Sequence, residues 1–130
     1  MSRRYQLEHN AQVAVFQWAK LNEGRCPELA LLYANPNGGY RNISVARYMK
    51  AEGLKAGVPD MFLPVARGGY HGLFIELKQA GARPKSETAK GSVSDEQRQW
   101  LKALREQYYL AEVCYGATEA IDLLKDYLGK

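Results

Sequence analysis

The sequence predicts one α/β domain whose elements follow the order α, β, α, β, β, α, β, α. Apolar residues recur at helical spacing near both ends of the chain, and short apolar runs bounded by turn residues lie between them. The length of 130 residues is about that of one domain, so residues 1–130 are expected to form a single unit. A content of 46% hydrophobic and 25% charged residues is typical of a globular protein and excludes a disordered chain.

In the first half of the chain we predict a helix, a strand and a second helix. The first helix covers residues 5–21, with apolar positions at Leu7, Ala11, Ala14, Val15 and Trp18. The short apolar run 29–33 is typical of a buried strand, and the Asn-Pro-Asn-Gly-Gly sequence of residues 35–39 predicts a turn after it. Residues 43–54 are predicted to form the second helix, which ends near Gly53.

The second half begins with two apolar runs, 61–65 and Leu73–Lys78, around a glycine-rich loop, which together predict a β-hairpin. Residues 80–93 lack periodicity and are expected to form a mobile basic loop. Ser94 then opens a helix, residues 109–115 form a strand, and Ala117–Leu128 closes the chain as a helix.

The hairpin gathers the chemically active side chains. Alternate residues of a strand share a face, so Glu76 and Lys78 point to the same side, and Asp60 on the preceding strand joins them. With the loop centred near residues 69 and 70, Asp60 lies almost opposite Lys78 and diagonal to Glu76. Two carboxylates at this spacing are ligands that Mg²⁺ prefers, and a nearby lysine can stabilise a reacting phosphate. From the pattern alone, a turn-capping Asp60 and a surface Glu76–Lys78 ion pair remain an open alternative.

The positive charge is concentrated in the middle of the chain. The net charge is +4 overall, but it is +6 over residues 40–105 and −3 over residues 106–130. Such a basic region favours a polyanionic partner, and a solvated surface is the alternative. Two cysteines make no disulfide or metal framework, and no apolar stretch approaches the length of a membrane span. Without a signal-peptide pattern, the chain is expected to be soluble and intracellular.

Three motifs, taken together, identify a family. They are Gly57-Val58-Pro59-Asp60, Ile75-Glu76-Leu77-Lys78 and Ser94-Asp95-Glu96-Gln97-Arg98-Gln99-Trp100. Their order and spacing resemble the VRR-Nuc (virus-type replication-repair nuclease) domain of the PD-(D/E)xK nuclease superfamily. Supporting matches are Glu8 with Gln12, the turn Asn37-Gly38-Gly39, and the strand Val113-Cys114-Tyr115-Gly116. The resemblance spans nearly the whole chain and implies a restriction-endonuclease-like core, with a mixed β-sheet flanked by helices.

The resemblance also implies a role for individual residues. Asp60 and Glu76 would bind Mg²⁺ or Mn²⁺ together with the main-chain carbonyl of Leu77, and Lys78 would be the catalytic lysine. Glu8 would reach the metal directly or through water, and Gln97 would touch the site or the DNA backbone.

Two of these residues have structural alternatives that stay open here. Ser94-x-x-Gln97 is a capping box, in which Gln97 bonds back to the Ser94 amide. Glu8 is equally a first-turn acid favoured by the helix dipole.

Six basic side chains are candidates for phosphate contacts, with solvated surface as the alternative for each. They are Arg41, Arg47, Arg67, Arg83, Lys85 and Lys90. No helix has the spacing of a base-reading helix, so the expected recognition depends on DNA shape rather than on sequence.

The resemblance implies a metal-dependent, structure-selective DNA endonuclease, acting as a homodimer on branched DNA such as a four-way (Holliday) junction. The expected location is the cytoplasm of a bacterial or phage-infected cell. The alternatives are a flap nuclease of replication and repair, or a non-catalytic nucleic-acid-binding domain on the same fold.

Overall fold

The computed structural model describes residues 2–36, 42–85 and 93–130. Within them lie four helices: α1 (Arg3–Asn22), α2 (Ile43–Ala51), α3 (Asp95–Glu106) and α4 (Ala117–Leu128). The strands are β1 (Tyr33–Ala34), β2 (Met61–Leu63), β3 (Leu73–Lys78) and β4 (Leu110–Tyr115). Short 3₁₀ turns occupy Pro27–Leu31 and Ala80–Ala82. The predicted order of helices and strands is confirmed.

The described strands form a four-stranded mixed sheet in the order β1-β2-β3-β4. β2 runs antiparallel to both of its neighbours, β1 and β3, and β4 runs parallel to β3 because α3 carries the chain back across the sheet. The predicted α/β architecture, a mixed sheet flanked by helices, is therefore confirmed.

The main core lies between one face of the sheet and the helices α1 and α4. Met61 and Leu63 of β2, together with Ile75 of β3, are fully buried on this face against Val15 and Leu124 of the two helices. The other face of the same strands carries Phe62 and Phe74, whose rings stack at 4.1 Å. This division follows the predicted alternation of the hairpin and leaves the second face for Glu76 and Lys78.

The strand predicted over residues 29–33 is wrong. The chain there forms the 3₁₀ turn Pro27–Leu31, and the strand is only the exposed pair Tyr33–Ala34. Pro27 has no main-chain N–H and its fixed φ suits the first helical position. Leu29 and Leu32 are both buried, and a 3₁₀ turn places residues three apart on one side, whereas a strand would point them to opposite faces.

The register of the hairpin differs by two residues from the predicted one. Met61 pairs with Ile75 and Leu63 pairs with Leu73, so Asp60 lies level with Glu76 rather than with Lys78. Pro64 explains the shift, because it cannot donate to the strand ladder and ends β2 two residues earlier than predicted. A shift of two residues keeps every side chain on its predicted face and changes only its partner.

The second helix ends at Ala51, three residues earlier than predicted. Most of the predicted 35–39 turn, and residues 86–92 of the predicted basic loop, lie outside the described residues. In the described part of the chain, no helix combines the length and the apolar character needed to cross a membrane.

Candidate active site

A cavity of about 330 Å³ opens at the end of the sheet where β3 finishes. Its wall combines the first turns of α1, the end of β1, the segment before β2, the second half of β3 and the start of α3. The lining residues are Tyr5, Glu8, His9, Gln12, Ala34, Asn35, Pro36, Gly57, Asp60, Glu76, Leu77, Lys78 and Gln97. The candidate residues Glu8, Asp60, Glu76, Leu77, Lys78 and Gln97 therefore meet in one cavity.

Two carboxyl groups form the floor of this cavity. The Leu77 N–H donates to Asp60 Oδ2 at 2.6 Å, and the Asp60 and Glu76 carboxyl groups lie close enough for each to shift the pKa of the other. Burial, followed by the nearby Asp60 charge, raises the pKa of Glu76 to about 9, and burial also raises the pKa of Asp60. Without a cation, the pair therefore holds a proton at neutral pH, because two ionised carboxylates this close repel each other.

Lys78 and Gln97 complete the cluster. The buried Lys78 Nζ lies 3.6 Å from Glu76 Oε2 and donates to Gln97 Oε1 at 3.1 Å. Gln97 Nε2 donates in turn to Glu76 Oε2 at 3.1 Å. These contacts fix the Lys78 ammonium at the cavity wall, beside the carboxyl pair.

Gln97 is also part of the capping box of α3. Its Oε1 accepts from the Ser94 N–H at 2.9 Å, while its own N–H donates to Ser94 Oγ at 3.1 Å. The capping geometry expected from Ser94-x-x-Gln97 is therefore present together with the contacts to Glu76 and Lys78, and one side chain makes both.

The Gly57-Val58-Pro59-Asp60 segment is fitted tightly between two elements. Gly57 has φ +91°, and a Cβ there would lie 2.8 Å from the main-chain carbon of Glu96, at the start of α3. A glycine at this position lets α3 approach closely enough for Gln97 to reach the cluster. On the other side, Asn35 holds the segment through two hydrogen bonds: its N–H donates to the Asp60 carbonyl at 2.7 Å and its Nδ2 to the Pro59 carbonyl at 2.8 Å.

Glu8 projects into the cavity from the first turns of α1. Its carboxylate lies 3.9 Å from the Arg4 guanidinium, and burial raises its pKa, against the attraction of Lys78 and Arg4. Among the described residues, no three His, Cys, Asp or Glu side chains converge as a ready metal site. Glu8 lines the same cavity as Asp60 and Glu76 without forming a compact three-carboxylate cluster with them in the described structure.

The donor set fits a hard divalent cation. Glu76 Oε1 is buried and has no hydrogen-bond partner among the described residues. Buried polar atoms are rarely left without a partner, so an oxygen in this state next to a second carboxylate suits an oxygen-seeking cation. Asp60, Glu76 and the Leu77 carbonyl are the groups that could hold it.

The predicted phosphate-contacting residues that the structure describes differ in whether an acidic side chain already pairs with them. Arg47 on α2 and Lys85 beyond the second 3₁₀ turn are exposed. Arg67 pairs with Glu28 at the hairpin end opposite the cavity, and Arg83 pairs with a glutamate of α4 while lying 4.6 Å from the centre of the Tyr115 ring. Arg41 and Lys90 lie outside the described residues.

Sequence reasoning misses Tyr5, His9 and Asn35 as part of this site. The sequence assigns Asn35 only to a turn, and nothing in its local sequence indicates that it supports a strand that begins 26 residues later. The α1 residues carry a weak signal, since Tyr5, His9 and Gln12 share one helix face with Glu8.

Comparisons with known proteins indicate one family. The family model described as the VRR-NUC domain matches residues 1–118. A solved structure named "VRR_NUC domain protein" is similar to the chain, with 27% sequence identity and a TM-score of 0.75. The similarity covers 95% of this chain and 88% of that one. A search of curated proteins found no match.

Proposed function

Because the chain belongs to the VRR-NUC domain family and so carries a nuclease-type domain, we propose that it is a divalent-metal-dependent endonuclease that hydrolyses phosphodiester bonds in DNA. The observation that carries the proposal is the buried Glu76 oxygen that has no hydrogen-bond partner in the part of the chain that the structure describes, and that lies beside Asp60 and the buried ammonium of Lys78. A purely structural ion pair has no use for a second, repelling carboxylate at the same place. Residues 1–130 would form one such nuclease domain.

The reacting groups follow from the geometry of the cavity. Asp60, Glu76 and the Leu77 carbonyl would hold Mg²⁺ or Mn²⁺, which when bound activates water and stabilises charge on a phosphodiester. Lys78 places a positive charge where a phosphate oxygen or the attacking water would lie. Gln97 holds both Lys78 and Glu76 through its amide, so it acts as a positioning residue. Glu8 would contribute through a bridging water at the opposite wall.

The proposed substrate is branched DNA, a four-way junction first and a flap second. The exposed Arg47 and Lys85 supply contacts to phosphates, which carry no base sequence. One copy of the domain offers one such cavity, and the two nicks that resolve a four-way junction call for two. A homodimer is therefore part of the proposal.

The experiment is cleavage of labelled linear, flap and four-way-junction DNA with Mg²⁺ or Mn²⁺. Glu76→Ala and Lys78→Ala are expected to bind DNA and to lose cleavage. Their matched controls are Glu112→Ala, a half-exposed position on the neighbouring strand, and Lys102→Ala, an exposed position on α3; both should cut like the wild type. Unchanged nicking by Glu76→Ala or Lys78→Ala would refute the site, and cleavage in EDTA would refute the metal dependence.

Two further outcomes separate the alternatives. DNA binding without cleavage by the wild type under every metal condition would favour a non-catalytic binding domain. For the dimer, light scattering at micromolar concentration should give twice 14.6 kDa, and a clean mass of 14.6 kDa would contradict it.

A further inference from the structure

A second groove adjoins the catalytic cavity along the outer side of α1. Its volume is about 750 Å³, within the range of ligand-binding pockets. The lining residues are His9, Gln12, Val13, Phe16, Gln17, Lys20, Leu21 and Ala34. His9, Gln12 and Ala34 also line the catalytic cavity, so the two spaces adjoin each other at these residues.

The groove has an apolar floor and polar edges. Phe16 packs against the core from beneath, while Val13 and Leu21 present 40% and 84% of their surface to solvent. The amides of Gln12 and Gln17 can each donate and accept hydrogen bonds, and Lys20 adds a positive charge. A flat group with apolar faces and a hydrogen-bonding edge matches this lining, and a nucleobase is such a group.

We propose that this groove binds an unpaired nucleobase of the strand that is cut, adjacent to the phosphate held at Asp60 and Glu76. The inference rests on the proposed nuclease function and specifies its substrate. A phosphate in the catalytic cavity has its neighbouring base within reach of the shared wall formed by His9, Gln12 and Ala34. A base inside a duplex is stacked and paired, so only an unpaired or extruded base enters the groove. DNA with unpaired or extruded nucleotides at the cleavage point, at a flap or at the crossover of a four-way junction, is then the preferred substrate class.

The first test measures binding without cleavage. The probes are a fluorescent oligothymidylate of about 12 nucleotides and an abasic oligomer with the same number of phosphates, both titrated in EDTA and followed by anisotropy. The wild type should bind the thymidylate at least about fivefold more tightly, because one stacked base contributes at least about that factor. Equal affinity for the two probes would overturn the proposal without reference to any variant.

A matched pair of variants locates the effect. Val13→Glu places a carboxylate on the groove floor and should remove the preference for bases. Leu7→Glu makes the same kind of change on the same helix, at a position with 41% exposure that lines neither space, and should keep the preference. An equal loss in both variants would attribute the effect to charge on α1 and would refute a specific groove.

The second test places a single abasic nucleotide at each position around the cleavage point of a flap substrate. In the wild type, an abasic nucleotide at one position next to the cut should lower the cleavage rate at least about fivefold. In Val13→Glu, the same abasic nucleotide should cause no further loss of rate. A cleavage rate that is unchanged by an abasic nucleotide at every position would refute the groove without contradicting the nuclease function. Base-dependent binding by a wild type that cuts no DNA would support the groove and refute the nuclease function.

Light scattering tests a different occupant of the groove. If Val13→Glu halves the mass while Leu7→Glu does not, the groove is a contact between two copies, and the nucleobase proposal fails.

Discussion

Replacing Glu76 with glutamine is expected to stabilise the metal-free protein and to abolish strand cleavage. Glutamine has the size of glutamate, keeps an oxygen that accepts from Gln97, and cannot ionise next to Asp60. Its amide can instead donate to the Asp60 carboxylate, which already accepts from the Leu77 N–H. Burial of the Glu76 charge and its repulsion by Asp60, which together raise the pKa of Glu76, are thereby removed, and a hydrogen bond takes their place.

The magnitude follows from the pKa of about 9, compared with the ordinary value of 4.5. Between these values the folded protein holds a proton that the unfolded chain has released, so the free energy of unfolding falls as the pH rises through this window. Each pH unit removes up to about 1.4 kcal/mol. At about pH 7.5, three units above the ordinary value, the wild type has lost up to about 4 kcal/mol that the variant keeps.

The assay is urea unfolding in EDTA at about pH 5.5 and pH 8, where the advantage of Glu76→Gln should grow by up to about 3 kcal/mol. Glu112→Gln, at a half-exposed glutamate on the neighbouring strand, is the control and should show no such growth. In a second series without EDTA, free Mn²⁺ at a hundredfold excess over its dissociation constant should stabilise the wild type by about 2.7 kcal/mol and should leave Glu76→Gln unchanged. An advantage that does not increase with pH, or a wild type that is the more stable at pH 8, would refute the reasoning.

Three further predictions concern packing and DNA contacts. Gly57→Ala and Gly53→Ala both introduce strain of about 1–2 kcal/mol, because each glycine has a positive φ. In urea unfolding, Gly57→Ala should lose about 1–3 kcal/mol more than Gly53→Ala, because only the Cβ added at Gly57 meets α3. Equal losses would contradict the close approach. Tyr127→Phe removes a buried 2.6 Å hydrogen bond to a main-chain carbonyl and should cost about 1–3 kcal/mol of unfolding free energy; a neutral result would count against that bond. In DNA titrations at several salt concentrations, Arg47→Ala should lower the slope of log affinity against log salt concentration by about one. Arg83→Ala should change this slope less, because Arg83 is already ion-paired in the protein. The reverse order would exclude the exposed face of α2 as the DNA contact.

Much of the fold can be predicted from local patterns. The helix Ala117–Leu128 agrees residue for residue with its prediction, because its apolar positions repeat at helical spacing and glycines flank it. The alternation of β3 is enough by itself to put Glu76 and Lys78 on one face. These features depend on neighbours in sequence, which the chain itself displays.

The predictions are wrong where a contact between distant segments decides the outcome. The short apolar run before β1 satisfies a 3₁₀ turn and a strand equally well, and only its packing against α1 selects the turn. The level of Asp60 relative to Glu76 is an exception, because the proline that ends β2 is itself visible in the sequence. The cavity wall supplied by α1 and Asn35 depends on tertiary packing that no local spacing encodes.

Gln97 shows why two interpretations of one residue need not compete. A free glutamine side chain would lose rotamer entropy on binding Lys78 and Glu76. The capping box has already fixed this side chain, because Oε1 accepts from the Ser94 N–H at the same time as from Lys78 Nζ. Helix formation therefore places the amide beside the carboxyl pair before any substrate arrives. The close approach at Gly57 sets the distance between α3 and the cluster, so a shift of the start of α3 would also move the Gln97 amide away from Lys78 and Glu76.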